Sequence, residues 1–171
     1  MPYCSVSLTG IAGSCDTSKG GLKKVYLASY KENVFTVSGD TVTDVDSGVT
    51  FYEYNFKKGV CSMTSTLNVD PANGVNYVST ELLLQFNKMD TAKRIEISAL
   101  STGDLVGIAV DANNQYYALG VESPMTATGG TGQTGAARTD GNFYQITLGD
   151  EQDTYPLLLD DDAIASITIA S

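Results

Sequence analysis

Residues 59–87 read GVCSMTSTLNVDPANGVNYVSTELLLQFN, and the interpretation of the whole chain starts from this stretch. Two long runs, 59–69 and 75–87, alternate apolar and polar residues, as strands with one buried face do. Between them stand Asp70, Pro71, Asn73 and Gly74, residues that favour a tight turn. The stretch therefore predicts one long β-hairpin over residues 59–87.

Successive strand residues point to opposite faces, so each run divides into two sets of side chains. The apolar set is predicted to be buried and comprises Cys61, Met63, Leu67, Val69, Val78, Leu82, Leu84 and Phe86. The other set is polar and almost uncharged, and comprises Ser62, Thr64, Thr66, Asn68, Ser79, Glu81 and Gln85.

The two runs are roughly twice the usual strand length and would reach about 35 Å. A small core does not need strands of that length. Either the ends of the hairpin curl over the core of their own domain, or the hairpin joins hairpins of neighbouring copies and turns its polar set toward water. The residues alone leave both interpretations open.

The rest of the chain predicts a single domain, 1–171, that is mainly β. Short runs rich in β-formers recur between turn residues, and the 42% hydrophobic content is enough for a substantial core. The expected fold is a β-sandwich or partly closed barrel with one short α-helix and the long protruding hairpin. In the aromatic run 49–56 we expect Tyr52, Tyr54 and Phe56 to form the buried face.

One segment, residues 90–102, changes to a helical period. Asp90 or Thr91 can serve as the N-cap, and Gly103 stands just past the end. We expect a helix that packs through one stripe of side chains, namely Ala92, Ile95, Ala99 and Leu100.

Several segments are predicted to be irregular. Residues 1–20 form an N-terminal arm without a sustained period, and 121–141 read as a long loop rich in Gly and Thr. Asp150, Glu151 and Asp153 predict an acidic turn after a strand at 142–148. Residues 155–159 and 163–170 are expected to close the chain with one or two strands.

The net charge of −10 is concentrated in the second half of the chain. Residues 1–94 carry nine Lys or Arg against nine Asp or Glu, whereas 95–171 carry one against eleven. Proteins that grip nucleic acid do so with clustered Lys and Arg, so this composition argues against a DNA-binding module. No apolar run is long enough for a membrane span and no signal peptide is evident, which predicts synthesis in a cytoplasm.

Motifs for catalysis, cofactors and metals are weak, and we expect a protein that is not an enzyme and holds neither cofactor nor metal. Gly130, Gly132 and Gly135 match GxGxxG, but the flanking residues predict neither the strand nor the helix that dinucleotide binding needs. The chain has no histidine, which removes the common catalytic triads and mixed zinc sites. The carboxylates at 44/46, 111 and 160–162 lack EF-hand spacing and read as solvated turns. Cys4 and Cys15 could be bonded, but free thiols are the expectation in a reducing compartment.

Three segments together resemble the small tail tube, or major tail, proteins of tailed bacteriophages and prophages. They are SMTSTLNVDPANGVNYVSTELLLQFNKMDTAKRIEISAL (62–100), DANNQYYALG (111–120) and GQTGAARTDGNFYQITL (132–148). The resemblance extends over most of residues 22–148. It implies a structural virion protein, made in the host cytoplasm, that forms hexameric rings stacked into a tube through which DNA is ejected.

The resemblance also implies roles for particular residues. The lumen of the tube would be lined by the polar set, namely Ser62, Thr64, Thr66, Asn68, Ser79, Glu81 and Gln85. Stacked rings would be bridged by the arm 1–20 and by the loop 121–141, with contacts at Met125, Thr128, Gly130, Thr134 and Arg138; the turn at 38–48 is an alternative bridge. Expected partners are further copies of the chain, the tape measure and terminator proteins, and a sheath if the tail is contractile, while DNA passes without specific binding.

Two other classes compete with this interpretation. A neck ring, tail terminator or capsid decoration protein would share the β-rich fold and the acidity. A ligand-binding β-sandwich, for carbohydrate or calcium, is the third possibility, although the chain has no tryptophan for such a binding face.

Overall fold

The computed structural model of the chain describes residues 5–57 and 59–170. It is mainly β, with 48% of residues in strands and 10% in two helices, which confirms the predicted fold class. In chain order the elements are β1 Leu22–Ser29, β2 Phe35–Ser38, β3 Thr41–Val45, β4 Thr50–Asn55, β5 Ser62–Asp70, β6 Val75–Asn87, α1 Thr91–Thr102, β7 Leu105–Asp111, β8 Tyr116–Leu119, β9 Thr126–Gln133, β10 Phe143–Gln152, β11 Leu157–Leu159, α2 Asp161–Ala165 and β12 Thr168–Ile169.

The larger sheet has eight strands in the order β12-β4-β1-β7-β8-β11-β3-β2 and curls around the first of two cores. Its strand β7, LVGIAVD, is buried on both faces. Ile108 and Val110 belong to the first core, whereas Leu105 and Ala109 belong to the second. A strand covered on both sides has to be apolar throughout, and β7 can separate the two cores for that reason.

The smaller sheet has four antiparallel strands in the order β5-β6-β10-β9. Its apolar face packs on the larger sheet to form the second core. Leu84 and Ile146 lie side by side in that face and are buried with Val25 and Leu27 of β1. The predicted hairpin is confirmed as β5 and β6, although β5 begins at Ser62 because Gly59 lies in a turn with φ of +82°.

The leucine run of β6 allows a direct test of this packing. Leu84 is fully buried between the sheets, while its neighbour Leu83 is half-buried on the opposite face. Leu84→Ala is expected to lower the free energy of unfolding by about 2–5 kcal/mol, because it leaves a cavity in the core. Leu83→Ala is the matched control and should cost less than about 1 kcal/mol in urea denaturation. Equal losses from the two variants would contradict the assigned faces.

The predicted helix is confirmed as α1, capped by Asp90, which accepts a hydrogen bond of 2.8 Å from the Lys93 amide. The predicted packing stripe is wrong. Ile95 is 57% exposed, and Ala92 and Ala99 are exposed, whereas Leu100 is buried and Ile97 packs on the second core. The helix covers only the border of the small sheet, beside β9 and β10, so a narrower stripe suffices.

The predicted aromatic face of β4 is also wrong in part. Phe51, assigned to the polar side, is fully buried in the first core, and Tyr52 is exposed. Tyr54 and Phe56 are half-buried at the border of the second core, where both pack against Phe86. The reason is that β4 contacts both cores, with Phe51 on the side of the first core and Tyr54 and Phe56 on the side of the second.

The segment 121–141 is not the long loop that its composition predicts, because it contains the eight-residue strand β9. The acidic turn is wrong too, since Asp150 and Glu151 lie inside β10. The expected closing strands are present as β11 and the two-residue β12, but the short helix α2 takes up the start of 163–170. In β9 and β10, pairing with a strand distant in sequence outweighs the local turn signals.

Asp150 is buried on the core face of β10 together with Gln152. Its carboxylate accepts hydrogen bonds from the Gly120 amide at 3.0 Å and from the Gln152 side chain. Gln152 in turn accepts a hydrogen bond of 2.9 Å from the Glu122 amide. The pair fixes the segment that leads from β8 into β9, and burial raises the pKa of Asp150 above its ordinary value.

This burial predicts a pH dependence of stability. The unfolded carboxyl loses its proton near its ordinary pKa of 3.8, whereas the folded one holds its proton to higher pH. The stabilising contribution is therefore complete below pH 3.8 and is lost as the pH rises through the folded pKa. Asp150→Asn is expected to gain stability relative to the wild type across that window, measured by urea denaturation as a function of pH. The exposed Asp153→Asn is the matched control, and a difference from wild type that does not vary with pH would contradict the prediction.

Candidate functional site: the polar face of the small sheet

The small sheet has one face that no other part of the described chain covers, and the predicted lumen residues lie on it. The pairing of Thr64 with Glu81 and of Thr66 with Ser79 aligns the two strands so that all seven predicted residues share this side. Asn68 donates a hydrogen bond of 3.1 Å to Ser79 across the hairpin. The structure thus places the predicted set together, while its role in a lumen stays a prediction.

Strands β10 and β9 extend this face, which sequence reasoning missed. Gln145, Thr147 and Glu151 pair with Gln85, Leu83 and Ser79 respectively. We use "the polar face" for the outward residues of all four strands: Ser62, Thr64, Thr66, Asn68, Asp70, Val75, Tyr77, Ser79, Glu81, Leu83, Gln85, Asn87, Thr126, Thr128, Gly129, Thr131, Gln133, Phe143, Gln145, Thr147, Gly149 and Glu151. The alternation in FYQITLGDEQ was a usable signal for β10, but nothing in the local sequence pairs it with β6.

The polar face carries hydroxyl and amide groups and very little charge. Its carboxylates are Asp70 at the hairpin turn, Glu81 and Glu151, all exposed, and it contains no Lys or Arg. None of its members is buried in the chain as described. Such a surface offers phosphate groups no cation and repels them weakly at the three carboxylates.

Both edges of the small sheet are open within the described chain. Strand β5 forms one edge and β9 forms the other, with nine and eight residues. Neither strand contains Lys, Arg or Pro, and the single charge is Asp70 at the end of β5. Natural proteins normally protect exposed edges with charge, proline or a covering segment. Two long unprotected edges on one sheet therefore favour pairing with another chain.

The tip of the hairpin extends beyond the domain, because the pairing of β6 with β10 stops at Val78. Leu67 is 47% and Val69 is 58% exposed, so their predicted burial is wrong for the single chain. The turn itself is tightly closed. Asp70 accepts hydrogen bonds from the Asn73 side chain at 2.6 Å and from the Ala72 amide at 3.1 Å, and these lower its pKa.

The five residues predicted to bridge rings do not share one loop. Met125 is buried at 1% exposure in the second core, where its amide and carbonyl bond to Leu105, so its assignment as a contact residue is wrong. Thr128 and Gly130 belong to the edge strand β9. Thr134 and Arg138 lie in the exposed turn that follows, in which Asp140 accepts hydrogen bonds from the Ala136 and Ala137 amides.

The N-terminal arm is described from Ser5, and residues 5–20 are exposed throughout without regular secondary structure. Three apolar side chains on it have almost no cover, namely Val6, Leu8 and Ile11 at 75%, 84% and 101% exposure. The arm joins the domain where Lys19 and Asn113 exchange two hydrogen bonds of 2.9 and 3.1 Å. Cys4 lies outside the described residues, so a Cys4–Cys15 bond stays an open question.

The remaining motifs have local structural roles. Gly130 and Gly132 lie in a strand and Gly135 in a turn, and no helix follows them to receive a phosphate. Asp46 binds Lys31 and the Gly48 amide, Asp111 caps its own turn, and Asp160 caps α2. Within 5–57 and 59–170 no three His, Cys, Asp or Glu side chains gather as metal ligands, and no helix there could cross a bilayer.

Fold and surface together define a β-sandwich with an uncovered polar face and two free sheet edges. Comparison of the chain with family models, with curated proteins and with solved structures finds no match.

Proposed function

We propose that the chain is a structural subunit of a bacteriophage tail tube, without catalytic activity, located in the tail of the virion. The observation that carries the proposal is the small sheet, which combines a polar face without cations with two unprotected edges. In the proposed hexameric ring, β5 of one subunit pairs with β9 of the next, and the polar face lines the lumen.

The strand directions support closure of such a ring. The four strands alternate in direction, so β5 and β9 run oppositely. Rotation about a ring axis leaves the direction of each strand along that axis unchanged, and β5 therefore meets the neighbouring β9 as an antiparallel pair. With an odd number of strands per copy, the same contact would have to be parallel.

The register of the four strands also supports closure of the ring. Within one chain, Thr64, Glu81, Gly149 and Thr126 follow one another across the sheet. For β5 to overlap the β9 of the next copy along its whole length, each copy must be displaced relative to its neighbour by about five or six residues along the strand direction. Four strands spaced about 4.8 Å apart and tilted by about 40° give a shift of about 16 Å, or about five residues.

The resulting dimensions suit the function. Six such sheets at that spacing and tilt close into a barrel with a backbone diameter of about 50 Å, which admits a DNA duplex. Hydroxyl and amide groups line this opening, and the carboxylates of Glu81 and Glu151 keep phosphates from binding. DNA can then slide without being held.

The arm and the turn after β9 are the proposed contacts between stacked rings. The arm is uncharged from Ser5 to Cys15 and exposes three apolar side chains, so it is suited to binding a second subunit. The fourteen residues 5–18 that precede the anchor at Lys19 reach about 45 Å when fully extended. Tape measure and terminator proteins, and a sheath if the tail is contractile, are the further partners we propose.

Negative-stain microscopy of the purified protein at high concentration tests the proposal. Open-ended tubes with an axial channel are the expected result. Isolated rings would favour a neck or terminator protein, and monomers at every concentration would contradict the tube.

A further inference from the structure

Leu67 and Val69 form an apolar pair that the described part of the single chain leaves exposed. They point to the same side of the small sheet as the buried Leu82, but they lie past the end of the second core. Leu67 is opposite Val78, the last residue of β6 that β10 reaches. An apolar pair exposed at the end of a protruding hairpin indicates a surface that another molecule covers.

The opposite edge of the same sheet has an open groove on the same side. It lies between α1 and β9 and has a volume of about 520 Å³. Its lining includes Ile97 of α1, Tyr144 and Ile146 of β10, and the backbone of Gly130 and Gly132, where a Cβ would collide with the Gln145 carbonyl and the Tyr144 ring. Every residue that lines the groove is uncharged.

The ring pairing brings these two features together. Antiparallel overlap of β5 with the next β9 along their full length, with core faces on the same side, sets Leu67 opposite Gly130. Val69 then lies beside Ala127, and both side chains point toward the space between β9 and α1.

We propose that Leu67 and Val69 of one copy occupy the groove between α1 and β9 of the next copy, against Ile97. The inference rests on the proposed ring, and it explains why β5 pairs with β9 and not with another β5. Backbone pairing alone would let two β5 edges join each other, whereas only the β9 edge offers a groove for Leu67. The contact therefore selects head-to-tail pairing, which closes a ring, over a symmetric dimer.

Cross-linking between separately made variants tests this contact. Leu67→Cys and Ile97→Cys are each prepared with Cys4 and Cys15 replaced by Ser, mixed under assembly conditions and treated with a short bismaleimide. The expected product is a cross-linked dimer that contains one chain of each variant. Ile95→Cys is the matched control, because it lies two residues away on the exposed side of α1 and should give little product with Leu67→Cys.

Assembly gives a second, independent measurement. Leu67→Asp would bury an unpaired carboxylate in the groove and is expected to raise the concentration needed for assembly by about tenfold or more. Adding Ile97→Lys in the same chain should restore much of the loss. If wild-type protein forms tubes, yet the cross-link is absent and Leu67→Asp assembles normally, the groove contact is overturned and the tube stands. If wild-type protein stays monomeric, both the groove contact and the proposed tube are contradicted.

Discussion

Ser65→Pro is expected to abolish assembly of the chain and to leave the folded subunit intact. Gln85 directs its amide and carbonyl toward Cys61 on β5. Because the direction of backbone groups alternates along an antiparallel pair, Thr64 and Thr66 bond to β6, and Ser65 directs its N–H away from the sheet. Proline there removes a donor that only a neighbouring copy could use, at an edge where proline is tolerated.

Ser65→Ala is the control for the side chain, since it removes the 2.9 Å contact between the Ser65 and Thr80 hydroxyls and keeps the amide. We expect Ser65→Ala to form tubes and Ser65→Pro to remain monomeric in analytical ultracentrifugation. Circular dichroism should show both variants folded. Tubes of normal length from the proline variant would exclude β5 as an assembly edge.

The double change Glu81→Lys and Glu151→Lys is expected to turn a tube that releases DNA into one that retains it. Both carboxylates are exposed on the polar face, so each subunit would replace two of its three acids there with two cations. Phosphate contacts release counterions, and the binding should fall by orders of magnitude between about 50 and 200 mM salt. Co-sedimentation of short duplex DNA with assembled tubes measures this.

A second double variant with the same change in net charge, but outside the polar face, separates DNA retention by cations in the lumen from retention by a more positive protein overall. Glu32→Lys with Asp104→Lys places two cations on the segments that precede β2 and β7, outside the small sheet, where both acids are exposed. These tubes should retain little DNA. Equal retention by the two double variants would show that the polar face is not the surface that DNA meets.

Local sequence predicted the hairpin, the helix and the polar set because each depends on neighbouring residues. The period of two in 75–87, the turn residues at 70–74 and the cap at Asp90 specify backbone geometry over a few residues. These elements agree with the structure within about three residues at their ends. The same reasoning assigned Phe51 and Ile95 to the wrong faces, because the partner of each face is distant in sequence.

The sequence by itself determined a mainly β chain, the faces of its hairpin and an acidic character that argues against gripping DNA. Only the tertiary structure decided that β10 and β9 complete the small sheet, that Met125 is core, and that a groove lies beside β9. The physical reason is that alternation fixes which way a side chain points along its own strand. Which strands lie side by side, and which edges remain free, depends on how two cores are filled by residues far apart in the chain.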